Sequence, residues 1–207
     1  VGRSPAASRT VVAARPGTTV EVVWPDFAGA AAALDGVPAA CPTVLNHNLE
    51  TVPRLYPSAR PQARYRRALE LLERAAAARP RPLVKTGLMV GLGETRDEVL
   101  AVLRDAVAAG VNVVTVGQYL RPRRGCLPVA RYVPPDEFAA LEAEGDALGL
   151  RVVAGPFVRS SYHAAEVVAG NRQPRGGRSE NWGSGSTRTR SGRSEGGRSG
   201  RGCRHPS

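Results

Sequence analysis

KTGLMVGLGET, residues Lys85 to Thr95, reads as a buried strand running into a glycine turn, with a helix start directly behind it. Leu88, Met89 and Val90 form a short apolar run, and Gly91 and Gly93 let the backbone turn where a side chain would obstruct a ligand. Thr95 and Glu98 have the spacing of a capping box, which predicts a helix from that point. In an open or barrel-like parallel sheet this junction lies at the carboxyl end of a strand, where such folds place ligands and chemistry. The segment therefore points to a site as well as to a fold.

The same alternation extends in both directions. Apolar runs at Val20–Trp24, Thr43–His47, Leu83–Val90, Val111–Gly117 and Arg151–Ala154 read as strands. Between them, Pro61–Arg79 carries Tyr65, Ala68, Leu69, Leu72 and Ala76 on one helical face. Thr95–Ala109 repeats the pattern with Val99, Val102, Leu103 and Ala106, and Gly110 stands at its C-cap. A third helix is expected from Pro135, with Phe138, Leu141 and Leu148 inward and Gly149 as its stop. Strands alternating with helices imply a parallel sheet with right-handed crossovers, an α/β fold. Four or five strands are too few to close a barrel of eight, so the expected fold is part of a larger α/β barrel.

The 207 residues allow one ordinary domain with a tail, and 42% hydrophobic content supplies a core. The barrel part is expected over 1–169 and an Arg/Gly/Ser-rich tail over 170–207. From Asn171 to Ser207 there are nine arginines and two glutamates, so +7 of the net +11 falls in the tail and the body carries only +4. That tail has almost no aliphatic residues and is expected to be disordered. Its arginines and Trp182 are the basis of an alternative reading, a nonenzymatic remnant with an RNA-binding tail. The irregular spacing and single aromatic argue against nucleic acid as a partner. No run of about 18 apolar residues exists to span a membrane, and VGRSPAASRT has no apolar signal region.

Polar residues gather where these strands end. They are Asn46, His47, Asn48 and Glu50 after the second; Lys85, Gly87, Gly91 and Glu94 along and after the third; Gln118 and Tyr119 after the fourth; and VRSSYH, Val158 to His163, after the fifth.

Four long blocks, NHNLETVPRLYPSARPQARYRRALELLERA, KTGLMVGLGET, TVGQYLRPRRGCLPVARYVPPDEF and GPFVRSSYHA, preceded by VEVVWPDF, resemble the lipoyl synthases. The resemblance covers roughly Thr19 to Ala165. It implies part of a radical S-adenosylmethionine (β/α) barrel, the carboxyl-terminal portion. It also implies an enzyme of lipoate biosynthesis that inserts two sulfur atoms at C6 and C8 of a protein-bound octanoyl group. The implied cofactors are S-adenosylmethionine and two [4Fe-4S] clusters, one of them an auxiliary cluster that donates sulfur. The implied partners are an octanoylated lipoyl carrier domain or the glycine cleavage H protein, with ferredoxin or flavodoxin as electron donor, in the cytoplasm.

Carried over residue by residue, Gly87, Gly91 and Glu94 match the G-x-x-x-G-x-x-E pattern beside the adenosyl group. Asn46, Asn48 and Glu50 occupy the family's NHNLE segment, and Gln118 and Tyr119 its GQY. The asparagines alternatively cap a turn, and Tyr119 alternatively belongs to the core. Lys85 is either a partner for the carboxylate of S-adenosylmethionine or an ordinary exposed lysine. Ser161, with Ser160 as the alternative, corresponds to the serine ligand of the auxiliary cluster, and His163 is a candidate neighbouring donor. No catalytic side chain is singled out.

The family's cluster motifs are missing. It carries a C-x-x-x-C-x-x-C triplet and a second group of three cysteines, whereas this chain has only Cys41, Cys126 and Cys203. Each reads as a free thiol. The expectation is a carboxyl-terminal portion that does not turn over alone. Thr86 where serine is commoner, and PRRGC at Pro122–Cys126, are smaller departures.

Overall fold

The computed structural model describes residues 10–11, 13–15, 17–25 and 42–161. The expected tail over 170–207, together with Tyr162, His163, Cys41, Cys203 and Trp182, lies outside the described residues. Five strands, β1 (Glu21–Val23), β2 (Val44–Asn46), β3 (Leu83–Val90), β4 (Val113–Gln118) and β5 (Arg151–Gly155), form one parallel sheet in the order β1-β2-β3-β4-β5. A doubly wound sheet reverses its strand order at a switch point; this one runs in sequence order throughout, as an arc of a barrel does. The fold is thus α/β and has the form of a partial barrel.

The three crossovers from β2 to β5 are helical. A 3-10 turn at Pro53–Leu55, α1 (Tyr56–Ala59) and α2 (Tyr65–Ala77) join β2 to β3; α3 (Arg96–Ala108) joins β3 to β4; α4 (Pro135–Ala147) joins β4 to β5. Alternation along the strands sends Leu45, Val84, Leu88, Val90, Val114, Val116 and Val152 into a core with the helices. The opposite face carries Glu21, Asn46, Lys85, Gly87, Thr115 and Gly117, which adjoin one another through the register pairs Asn46 with Lys85 and Gly87 with Thr115. One face therefore packs on the helices, and the other sets these polar and small groups among Val44, Val113 and Met89.

β3 matches its expected span, and the others differ at their ends for local reasons. α2 begins at Tyr65 rather than Pro61, because Arg60 and Ala63 first close a turn (Ala63 N to Arg60 O, 2.9 Å). Its buried face is Ala68, Leu69, Leu71, Leu72 and Ala75, so Leu71 and Ala75 join the inward set and Ala76 is only half-buried. In α4 Phe138 and Leu141 are buried as expected, Gly145 joins them, and Leu148, just past the helix end, is half-buried against the core. A Cβ on Gly145 would lie 2.2 Å from Val152 Cγ2, so glycine lets α4 lie directly on β5. β4 starts at Val113 because Gly110 and Val111 still donate to the last turn of α3, while the Asn112 side chain accepts from Val84 N at 2.9 Å.

α3 starts with the expected capping box. Thr95 Oγ1 accepts from Glu98 N, and the Glu98 carboxylate accepts from Thr95 N at 2.8 Å. Gly110 (φ 77°) and Gly149 (φ 69°) follow the last residues of α3 and α4 in the left-handed conformation that ends a helix.

Candidate functional site at the carboxyl ends of β2 to β5

The segment after β2 does not leave the sheet at once. Glu50 N donates to Gly87 O (2.9 Å) and Glu50 O accepts from Met89 N (2.8 Å), so Glu50 forms an extra bridge on β3. It does so at φ 68°, a left-handed conformation that costs a non-glycine residue about 1 kcal/mol and gathers at functional sites. Thr86 pins the same segment, donating to His47 O (2.7 Å) and accepting from Leu49 N (3.1 Å). Asn48 is thereby held over Gly87. A Cβ on Gly87 would sit 2.8 Å from Asn48 Oδ1 and 3.3 Å from Thr115 Oγ1, so the glycine creates a cradle. Asn48 Nδ2 reaches Glu50 Oε1 at 3.3 Å, whereas Asn48 Oδ1 has no partner among the described residues.

The chain after β5 folds back over this cradle. A Cβ on Gly117 would lie 2.2 Å from Val158 O, so only glycine admits the approach. Asn48, Glu50, Gly87, Thr115, Gly117 and Ser160 border a cavity of about 90 Å³. Ser160 is half-buried at its edge and Ser161, next to it, is exposed. A larger cavity of about 550 Å³ shares Glu50 and Met89 with the first and is bounded by Thr51, Arg60, Tyr119 and Leu127. That volume is in the range of ordinary small-molecule sites.

The remaining expected site residues occupy other places. Gly91, Glu94 and Gln118 form a structural junction. The Glu94 carboxylate accepts from Gly91 N (2.6 Å) and Leu92 N (2.9 Å), closing the GLGE turn. Gln118 donates to Tyr119 O and Arg131 O and accepts from Val133 N at 2.9 Å, clamping the approach to α4. Lys85 is not an exposed lysine: it is 0% exposed and meets both Glu21 carboxylate oxygens at 3.3 Å. Asn46, its register neighbour, is also 0% exposed, and both its side-chain polar atoms lack partners among the described residues. Tyr119 is buried, with its hydroxyl donating to Leu127 O at 2.9 Å.

Sequence reasoning missed Thr51, Thr115, Gly117 and Arg54. Arg54 ties the two loops of the site together. Its Nε and Nη2 meet the Glu98 carboxylate at 2.7 and 3.0 Å, and Nη2 also donates to Gly93 O at 2.8 Å. The Arg54 hydrogen bond, helped by Thr95 N–H, lowers the Glu98 pKa from 4.5 to about 2. A carboxylate with a depressed pKa stabilises the fold fully above its unfolded value, and that contribution is lost as pH falls through the folded one. Stability should therefore drop between pH 4.5 and about 2 in denaturant titrations, and Arg54→Ala should flatten this part of the profile. An unaltered profile in Arg54→Ala would remove the clamp from the account.

Among the described residues no group of three His, Cys, Asp or Glu converges to hold a metal, and no helix is long and apolar enough to cross a membrane. No family profile matches the chain. Individual proteins match it closely. A lipoyl synthase from Chlorobium limicola is 54% identical over 162 residues, covering 78% of this chain and 55% of that protein. Lipoyl synthases from Koribacter versatilis and Rubrobacter xylanophilus are each 50% identical, over 161 and 159 residues, covering 77% and 76% of this chain and 53% and 50% of theirs. Among solved structures, Streptococcus suis SuiB aligns with a TM-score of 0.39 at 7% identity, over 66% of this chain and 39% of that one, a likeness too distant to bear on the reading. The chain spans about half the length of the curated relatives it matches, and over that span it belongs to the lipoyl synthase family.

Proposed function

We propose that the Asn48–Gly87 cradle and the cavities beside it are part of an S-adenosylmethionine site in a lipoyl synthase. The reading is that the complete enzyme inserts two sulfur atoms at C6 and C8 of an octanoyl group on a carrier domain. The observation that carries it is the cradle itself: a glycine without room for a Cβ beneath an unpartnered asparagine oxygen, in a chain half identical to lipoyl synthases.

The residues fit a nucleoside-like ligand. Asn48 Oδ1 is free to accept from a hydroxyl or amine, Glu50 offers a second acceptor, and both border the small cavity beside Gly87. Asn46 and Lys85 stand one layer deeper and support the cradle from below. Gly91, Glu94 and Gln118 act by position, fixing the turn at the end of β3 against the loop after β4. When bound, S-adenosylmethionine supplies the radical that removes hydrogen from an unactivated carbon.

The iron-sulfur clusters do not fit this chain. Its three cysteines are widely separated, and Ser161, or Ser160 as the alternative, offers one oxygen donor where a cluster needs several. No step is assigned through a cluster, and on this reading the chain does not turn over by itself. An octanoylated lipoyl domain or H protein, a ferredoxin or flavodoxin donor and a cytoplasmic setting belong to the same proposal.

Gly87→Ala tests it. The new methyl must push Asn48 aside, an adjustment a side chain can make, so the melting temperature should change little. Loss of one such hydrogen bond and of the cradle should weaken S-adenosylmethionine binding by about tenfold in a ligand-observed NMR titration of the full chain. Unchanged affinity, or no binding by the parent chain, would overturn the assignment.

A further inference from the structure

Glu50 stands at the centre of a three-residue turn. Thr51 N donates to Leu49 O at 2.9 Å across it, and Glu50 itself has φ 68°. A turn closed over three residues around a positive φ is the rare, strained form, and it persists only where its surroundings hold it.

Here the surroundings are specific. Leu49 O, the carbonyl that closes the turn, also accepts from the Tyr56 hydroxyl at 2.7 Å, so both of its lone pairs are used. Tyr56 is buried at the first position of α1, and its ring is fixed by its neighbours. Tyr65 meets it edge-on, with centroids 5.5 Å apart and planes at 88°. Arg60 lies 5.9 Å from the ring centre and donates to Asn48 O at 3.2 Å. Two successive carbonyls, Asn48 O and Leu49 O, are thus held by residues of α1 and its end, while Thr86 and Gly87 hold the same segment from β3.

The turn decides where a charge points. Glu50 borders both cavities, and its carboxylate accepts from Asn48 Nδ2 at 3.3 Å. Rotating the Leu49–Glu50 peptide would relieve the positive φ, but it would carry Leu49 O away from Tyr56 and Glu50 N away from Gly87 O. We infer that Tyr56 is a positioning residue: its hydroxyl fixes this peptide and so keeps the Glu50 carboxylate where the two cavities meet. The inference rests on the function proposed above only in taking S-adenosylmethionine as the ligand that meets the carboxylate.

Tyr56→Phe keeps the ring and removes the hydroxyl. In the full chain, amide exchange at Glu50 and Met89 should quicken by about tenfold, because both amides belong to the bridge between Glu50 and β3. The Kd for S-adenosylmethionine, followed by ligand-observed NMR, should rise about fivefold. Tyr65→Phe is the control. It deletes a comparable hydroxyl, bonded to Asp105 Oδ2 at 2.8 Å and not to the turn, so it should lower the melting temperature similarly and leave both readouts unchanged. Unchanged exchange in Tyr56→Phe, an unchanged Kd, or equal changes in Tyr65→Phe would each overturn the positioning role. If the parent chain binds no S-adenosylmethionine while Tyr56→Phe still quickens exchange at Glu50, the cofactor reading fails and the positioning of the turn stands.

Discussion

Replacing Glu21 with glutamine is expected to cost about 3 kcal/mol of folding stability, although the change is nearly isosteric. Lys85 is 0% exposed and its ammonium meets both Glu21 oxygens at 3.3 Å. Without the carboxylate, a charge far from water is left with no counter-charge, and that uncompensated burial carries the cost rather than the lost ion pair itself. The double variant Glu21→Gln/Lys85→Met should recover most of the loss, because it removes both charges and keeps the volume. Urea unfolding of the parent, the single variant and the double variant measures the effect. A single-variant loss below about 1 kcal/mol, or a double variant worse than the single, would show that the pair is effectively solvated.

Gly91→Ala should be nearly as damaging, at about 3 kcal/mol, for a steric reason. Gly91 has φ 98°, a conformation an L side chain rarely adopts, and an added Cβ would lie 2.2 Å from Gln118 Nε2 and 2.5 Å from Arg131 O. The Gln118 side chain can swing away, but then Arg131 O and Val133 N lose the group that binds them. The backbone carbonyl cannot swing. The loop after β4 should therefore detach from the GLGE turn, shown by faster amide exchange at Ala130 and Val133 together with a lower melting temperature. Retained protection at both amides would mean that Gly91 is not the hinge of this junction.

The two predictions turn on Lys85 and Gly91, both expected from the sequence as cofactor contacts, and the neighbours that decide them come from distant parts of the chain. The strand over Leu83–Val90, the capping box at Thr95 and Glu98 and the helix ends at Gly110 and Gly149 depend on residues within a few positions of one another. They were legible in the sequence because period and cap chemistry are local. Packing between elements adds to this pattern: Leu148 is half-buried against the core as expected, and Gly145 joins the inward set because α4 lies too close to Val152 for a side chain.

The site was legible only as a neighbourhood. Asn46, Asn48, Glu50, Gly87, Gly91, Glu94 and Gln118 lie in or beyond the carboxyl halves of their strands, whereas Lys85 stands toward the amino end of β3, beside the first residue of β4. Their division into cradle, buried support and loop junction is not written in the spacing of the blocks. Glu21 finds Lys85 from 64 positions away, and Arg54 finds Glu98 from 44. Val158 O finds Gly117 only because β4 and β5 are in register.

By itself, then, the sequence determined an α/β chain with alternating strands and helices and, through its long matching blocks, membership of the lipoyl synthases. Both follow from patterns carried by contiguous residues. Only the tertiary structure decided that Asn48 has a free oxygen over Gly87, that Lys85 is buried against Glu21, and that Glu94 and Gln118 are spent on backbone. Those outcomes depend on which distant groups satisfy a buried donor or acceptor first, and that competition is settled when the strands pack.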